Sequence, residues 1–220
     1  MKEFAGEFEI HLTVLPAPDL GIRQWARERG AKYTRIVLDS GATPDQPMLT
    51  WRARGTLSAL RRAAHTHAEA LRRAGLEPTR IKLEAAPWNE DVPRTEAEAA
   101  ELHDGCYFEH HLKLLLHGSA AVPALRAVTA PHGARVSRNA RRALDASGRH
   151  ERFVTQRRYG VGRADARRDL DMLRAAVFAA GYEILEAEEE FVVLDDNPAV
   201  DAGWLDAAGV QPVVDAGRRG

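Results

Sequence analysis

Two stretches of the chain match around a histidine, FEIHL from Phe8 and FEHHL from Phe108. An imidazole can take a proton from an attacking hydroxyl or give one to a leaving oxygen. Two imidazoles facing one substrate, His11 and His111, could do both. The surroundings repeat as well: Glu9 matches Glu109, and Thr50 and Arg52 in TWR match Thr155 and Arg157 in TQR. GAKYTR and GARVSR add a further match, Arg35 with Arg138. Arginine forks neutralise an anion, hydroxyls donate hydrogen bonds to it, and an ammonium supplies a compact charge. Only four of the 31 basic residues are lysine, and two of them, Lys82 and Lys113, fall on strands that carry this polar pattern. The set therefore suits a phosphate. If the protein is catalytic, His11 and His111 are the acid–base pair, and Thr13, Lys113, Thr50, Arg52, Thr155, Arg157, Lys82, Arg35 and Arg138 are candidates to orient the anion.

These residues need strands to position them. Phe8, Ile10, Leu12 and Val14 alternate with Glu9, His11 and Thr13, as in a strand with one apolar and one polar face. A helix follows, opened by Asp19 as its N-cap and closed by Gly30. Strands over Lys32–Asp39 and Met48–Arg54, a helix from Thr56 to Gly75 and a strand over Arg80–Glu84 complete a βαββαβ unit, the ferredoxin-like pattern. The order then starts again. Strands over Tyr107–Leu116, Arg135–Asn139, His150–Tyr159 and Ile184–Leu194 enclose helices over Val122–Val128 and Ala164–Ala180. Glu84 falls on the polar face of the first unit's last strand. Glu186, Glu188 and Glu190 are offered by the second, where Glu189 interrupts the alternation.

Five matches in one order read as an internal duplication. The expected fold is α+β: two tandem ferredoxin-like repeats with pseudo-twofold symmetry around a central polar cleft. The first repeat spans residues 1–86, an acidic connector 87–106, the second repeat 107–195, and a C-terminal tail 196–220 in which Trp204 is the anchor.

HLTV at His11 fits the pattern His-x-Thr/Ser-apolar and resembles the signature of the 2H phosphoesterase family, which includes RNA 2′,3′-cyclic phosphodiesterases and ligase-like relatives. The resemblance implies two pseudo-symmetric lobes, a histidine from each, and a metal-independent reaction on a phosphorylated small molecule or an RNA end, with no cofactor. The second motif departs from the pattern: HLKL carries Lys113 where the family has Thr or Ser. A rival reading assigns no chemistry. In it the protein is a non-catalytic ligand-binding or interaction protein, and the same polar faces form a salt-bridge network between the repeats.

Bulk properties narrow the classes. Thirty-one basic and 32 acidic residues leave a net charge of -1, which gives no bulk attraction to DNA or to a membrane surface. No run approaches the roughly 18 apolar residues that span a bilayer, and neither a signal nor a targeting sequence is read, so a cytosolic protein is expected. The single cysteine, Cys106, excludes an intrachain disulfide and a cysteine zinc set. His110 and His111 face opposite sides of a strand, and His65 with Glu69 makes only half a metal site. GVGRAD lacks the full glycine spacing of a nucleotide loop, SRNARR reads as a solvated edge, and the acids of DDNPAVDAGWL as a turn.

Overall fold

Period-two alternation builds eight strands, and period-3.6 stripes build the helices that cover them. The computed structural model describes residues 2–118, 121–139 and 149–205. The first half comprises β1 (Ala5–Val14), α1 (Asp19–Glu28), β2 (Lys32–Leu38), β3 (Asp45–Thr56), α2 (Leu57–Arg73) and β4 (Pro78–Ala85). A short α3 (Glu96–Ala100) lies in the connector. The second half comprises β5 (Tyr107–His117), α4 (Ala121–Thr129), β6 (Ala134–Asn139), β7 (Arg149–Tyr159), α5 (Arg163–Ala179) and β8 (Glu183–Asp195). Both halves run βαββαβ, and every pairing is antiparallel.

The halves order their strands alike, β2-β3-β1-β4 and β6-β7-β5-β8, and they join at both ends. β2 pairs with β6 and β4 with β8, so one barrel closes. The polar region expected as a cleft between two sheets is thus the inside of a barrel. Closure satisfies the backbone groups that four edge strands would otherwise leave unpaired.

Apolar residues lie outside the barrel, under the helices. Leu60, Ala64, Ala68 and Leu71 of α2 pack on Phe8, Ile10, Leu12 and Leu83, and a separate cluster joins α4 and α5 to Leu112, Leu114, Val136 and Val154. Each buried leucine contributes about 1.5–3 kcal/mol. The Thr56 hydroxyl accepts the Ala59 N–H at 3.4 Å and caps α2, while Gly75, at φ +76°, turns the chain out of it. Asp19 is not the N-cap of α1. It lies in the first turn, where it accepts hydrogen bonds from Tyr33 Oη and Arg35 at 2.7 Å each.

A 3₁₀ turn after β8, Pro198–Asp201, enters one end of the barrel. Asp201 is only 1% exposed and accepts from Arg80 at 2.9 Å, Arg157 at 2.6 Å and Gln46 at 3.0 Å. Trp204 anchors the tail as expected, buried against Leu38 and donating to the Val136 carbonyl at 3.0 Å. Residues 206–220 of the expected tail, and 140–142 of SRNARR, lie outside the described residues.

Removing the Asp201 charge leaves two buried guanidiniums each short of one partner. Asp201→Asn should cost about 3 kcal/mol in urea unfolding at pH 7. Arg80 and Arg157 overcome the burial that disfavours the charged carboxylate, so its folded pKa lies below the ordinary 3.8. The resulting stability is present above the unfolded value and is lost as pH falls through the folded one. The difference between wild type and variant should therefore hold from pH 7 to about 5 and shrink below that. A variant as stable as wild type at pH 7 contradicts the plug.

Candidate functional site

Strand register brings one set of residues to the barrel interior from each half. On β1, Glu9 lies between Arg52 and Glu84, and His11 lies between Thr50 and Lys82. On β5, Glu109 lies between Arg157 and Glu190, and His111 lies between Thr155 and Glu188. Both sets hold two carboxylates, an imidazole, a hydroxyl and a guanidinium. They differ at one place, where Lys82 stands in the first half and Glu188 in the second.

The histidines are oriented in the same way. His11 bonds Thr50 Oγ1 through Nδ1 at 2.8 Å and Glu84 Oε2 through Nε2 at 2.5 Å, with Glu9 at 3.7 Å. His111 bonds Thr155 Oγ1 through Nδ1 at 3.0 Å, and its Nε2 faces Glu109 at 3.4 Å and Glu190 at 3.5 Å. The Thr hydroxyls that the anion reading would place on a substrate are therefore engaged by the rings. Lys82 bridges the halves, touching Glu84 at 2.5 Å and bonding Glu109. Arg157 holds Glu109 at 2.6 Å and Asp201 at 2.6 Å, and Arg80 holds Asp195 and Asp201. An ion-pair network between the halves is thus a feature of the molecule.

Five carboxylates, Glu9, Glu84, Glu109, Glu188 and Glu190, share this region with Lys82, Arg52, Arg157 and the two imidazoles. Burial alone would push the imidazole pKa values down. The Glu84 charge overrides it and raises His11, while hydrogen bonds to Glu109 and Glu190 raise His111 to about 10. Burial would raise Glu84 and Glu109, but His11 and Lys82 hold the first below its ordinary range, and Lys82 and Arg157 hold the second well below. Glu190 goes the other way, to about 7, because burial and the Glu84 charge both oppose its ionisation.

Not every expected residue reaches this place. Thr13 is buried on the same face beside Arg80. Lys113 faces Glu151 at 3.5 Å and Glu186 at 3.9 Å rather than the cluster. Arg52 lies at the mouth, with Nε on Glu9 at 2.8 Å. Arg35 falls on the helix side of β2 with Tyr33, because strand parity separates it from Thr34, and Asp19 and Asp45 hold it there. Arg138 shares the parity of Val136, a residue of the outer apolar cluster, and pairs Val37 at the seam. His110 is fully buried on the outer face against Gln156, at 2.9 Å.

A cleft of roughly 1070 Å³ reaches the cluster from the outside. β4 ends at Ala85 while β8 continues back through Glu190 and Glu188, and the gap between them opens onto Glu9, Glu84, Glu188 and Glu190. The donor atoms of Glu9, His11 and Glu190 lie within 4.8 Å of one another, as do those of Glu109, His111 and Glu190. Glu190 belongs to both groups.

Glu84 and Glu190 were placed on polar strand faces by sequence but given no role, since an anion site has no use for carboxylates. A signal was present: each stands nine residues after the glycine that ends the second helix of its half, Gly75 or Gly181. Asp201 carried no such signal.

No protein-family model and no curated protein matches the chain. Among solved structures, the regulatory subunit of aspartate kinase from Thermus thermophilus aligns at 13% identity over 80% of this chain and 95% of its own, with a TM-score of 0.30. The acetolactate synthase small subunit from Thermotoga maritima aligns at 10% identity over 86% and 95%, also at 0.30. A heme-binding protein from Thermus thermophilus aligns at 14% identity over 87% and 92%, at 0.28. Likeness this low carries no statement about ligand or activity. Among the described residues no helix is long and apolar enough to cross a membrane.

The raised pKa of His111 sets a pH dependence. Protonation of the folded state adds stability that is complete below the ordinary 6.5 and is lost as pH rises through about 10. In chelator-treated protein, the stability of wild type relative to His111→Gln, read from urea midpoints, should be greatest near pH 6 and shrink towards pH 10. A difference constant over that range contradicts the assigned partners.

Proposed function

We propose that the barrel is a metal-dependent enzyme whose divalent ion is held by Glu9, His11 and Glu190 and faces the cleft. The observation that carries this reading is the convergence of two carboxylates and an imidazole within 4.8 Å of one another beside the cleft. Carboxylate and imidazole donors suit zinc, manganese or iron. Three protein ligands leave positions open for water or substrate, the arrangement of catalytic rather than structural sites. The ion would supply Lewis acidity and an activated water to a small molecule entering from the cleft. Thr50 fixes the ring of His11 through Nδ1, as outer partners of metal-bound histidines do, and Nε2, which otherwise bonds Glu84, would lose its proton to take the ion. We also read the halves as copies of one unit, because Glu-x-His, the facing Thr and Arg, and the Glu on the last strand recur at matching registers.

A second reading keeps the metal-independent phosphoesterase, with His11 and His111 as acid and base. It is favoured by one observation: both rings lie in one interior, each near Glu190. The carboxylates around both Nε2 atoms count against a phosphate there.

Calorimetric titration with Zn²⁺ and Mn²⁺ separates the readings. One ion should bind per chain, and Glu190→Gln and His11→Ala should each weaken it at least ~10–100-fold, the range for losing even an outer partner. Glu190→Gln keeps the shape of the side chain, so its folding is the control. No binding below millimolar, or binding indifferent to Glu190→Gln, removes the metal reading. Turnover of 2′,3′-cyclic nucleotides in chelator, lost in both His11→Ala and His111→Ala, would establish the second reading instead.

A further inference from the structure

The rim of the cleft differs in character from its floor. Trp88 is 67% exposed and lines the cleft, whereas Trp25, Trp51 and Trp204 are buried. The exposed indole leaves a broad aromatic face open to a partner in the cleft. The segment that presents it is firmly held. Asn89 exchanges two hydrogen bonds with the Glu7 backbone, at 2.9 and 3.2 Å, and Val92 is buried in the core. The Arg163 N–H donates to the Pro93 carbonyl at 2.9 Å, and its guanidinium donates to the Pro87 carbonyl at 2.8 Å. Gly162 is packed so closely that an added Cβ would lie 2.4 Å from the Arg94 carbonyl oxygen. The exposed indole therefore stands on a fixed wall.

Five arginines share that rim. Arg52, Arg54 and Arg167 pair with Glu9, Glu7 and Glu189. Arg94 and Arg163 make no ion pair among the described residues, and they flank the Trp88 segment in the same cleft. The floor is the reverse, with Glu9, Glu84, Glu188 and Glu190. An anion is repelled at the floor and attracted at the rim, and the flat indole offers a stacking surface in the same cleft.

We propose that the cleft binds an aromatic anion, a flat ring that stacks on Trp88 with its phosphate or carboxylate on Arg94 and Arg163. None of these three residues is a ligand of the proposed metal site, so the inference stands or falls apart from it. Guanidinium forks take either head group in two parallel hydrogen bonds, and stacking on an exposed aromatic side chain is tolerant of ring identity.

The test is calorimetry in chelator with 1-naphthyl phosphate and 1-naphthoate, with 1-naphthol and inorganic phosphate as the separate parts. At least one naphthyl anion should bind with a submillimolar Kd, tenfold or more tighter than either part. The better anion identifies the head group. Trp88→Ala and Arg94→Ala should each weaken it tenfold or more without moving the melting temperature, since both side chains are exposed. The indole N–H resonance lost in Trp88→Phe should be the one that shifts in wild type. Naphthol binding as well as the anions, affinity unchanged in Trp88→Ala and Arg94→Ala, or no binding at millimolar concentration would overturn the proposal.

Discussion

Glu109 is 1% exposed, and a bare carboxylate there would cost several kcal/mol. Lys82 reaches it from the first half and Arg157 from the second, while His111 faces it from its own strand. The closed barrel depends on this neutralisation. If the two half-sheets are to enclose their polar faces, each buried charge must find an opposite charge inside the barrel. Lys82 with Glu109 and Arg80 with Asp195 do this between the halves, and Arg157 with Asp201 ties β7 to the turn after β8. Pairs of this kind add little net stability over apolar packing, but losing one partner is costly, so they fix the arrangement.

The same constraint separates structure from site. At the end filled by Pro198–Asp201, cations and carboxylates are matched, and Gln46 adds a hydrogen bond to Asp201. Towards the cleft the matching stops. Glu190 and Glu188 lie in the stretch of β8 that β4 no longer covers, Glu190 is pushed to about 7, and His11 and His111 both favour the protonated form. There the negative charge is balanced by protons on His11, His111 and Glu190 rather than by fixed cations, and protons are what a divalent ion can displace. The rim arginines give the entrance the opposite sign, so one opening offers a path for an anion and a seat for a metal.

Much of this architecture was legible in the sequence, and the limits have physical causes. The alternation from Phe8 to Val14 and from Met48 to Arg54 assigned faces correctly, and so placed Glu9, His11, Thr50 and Arg52 together. The same rule read carefully puts Arg35 with Tyr33 and Arg138 with Val136, on the helix side; matching the halves by similarity alone obscured that. The register of β8 was hidden by a run of consecutive polar residues: Glu190 turns inward opposite Glu109, while Glu189 turns out to Arg167. Closure was not legible, because the β2–β6 and β4–β8 seams join elements remote in sequence through short pairings. Asp201 was hidden for a similar reason, being an acid of a Pro-containing turn whose partners come from β3, β4 and β7. The Thr13-to-Lys113 difference, which weakens the family resemblance, has a local explanation in Glu151 and Glu186.

Diffraction from crystals grown with Mn²⁺, recorded on both sides of the manganese absorption edge, tests the central claim most directly. The account predicts one strong anomalous peak inside the barrel, within bonding distance of Glu9, His11 and Glu190 and open to the cleft. Manganese bound only at the outer surface, with the Glu190 carboxylate still facing His111, would contradict it.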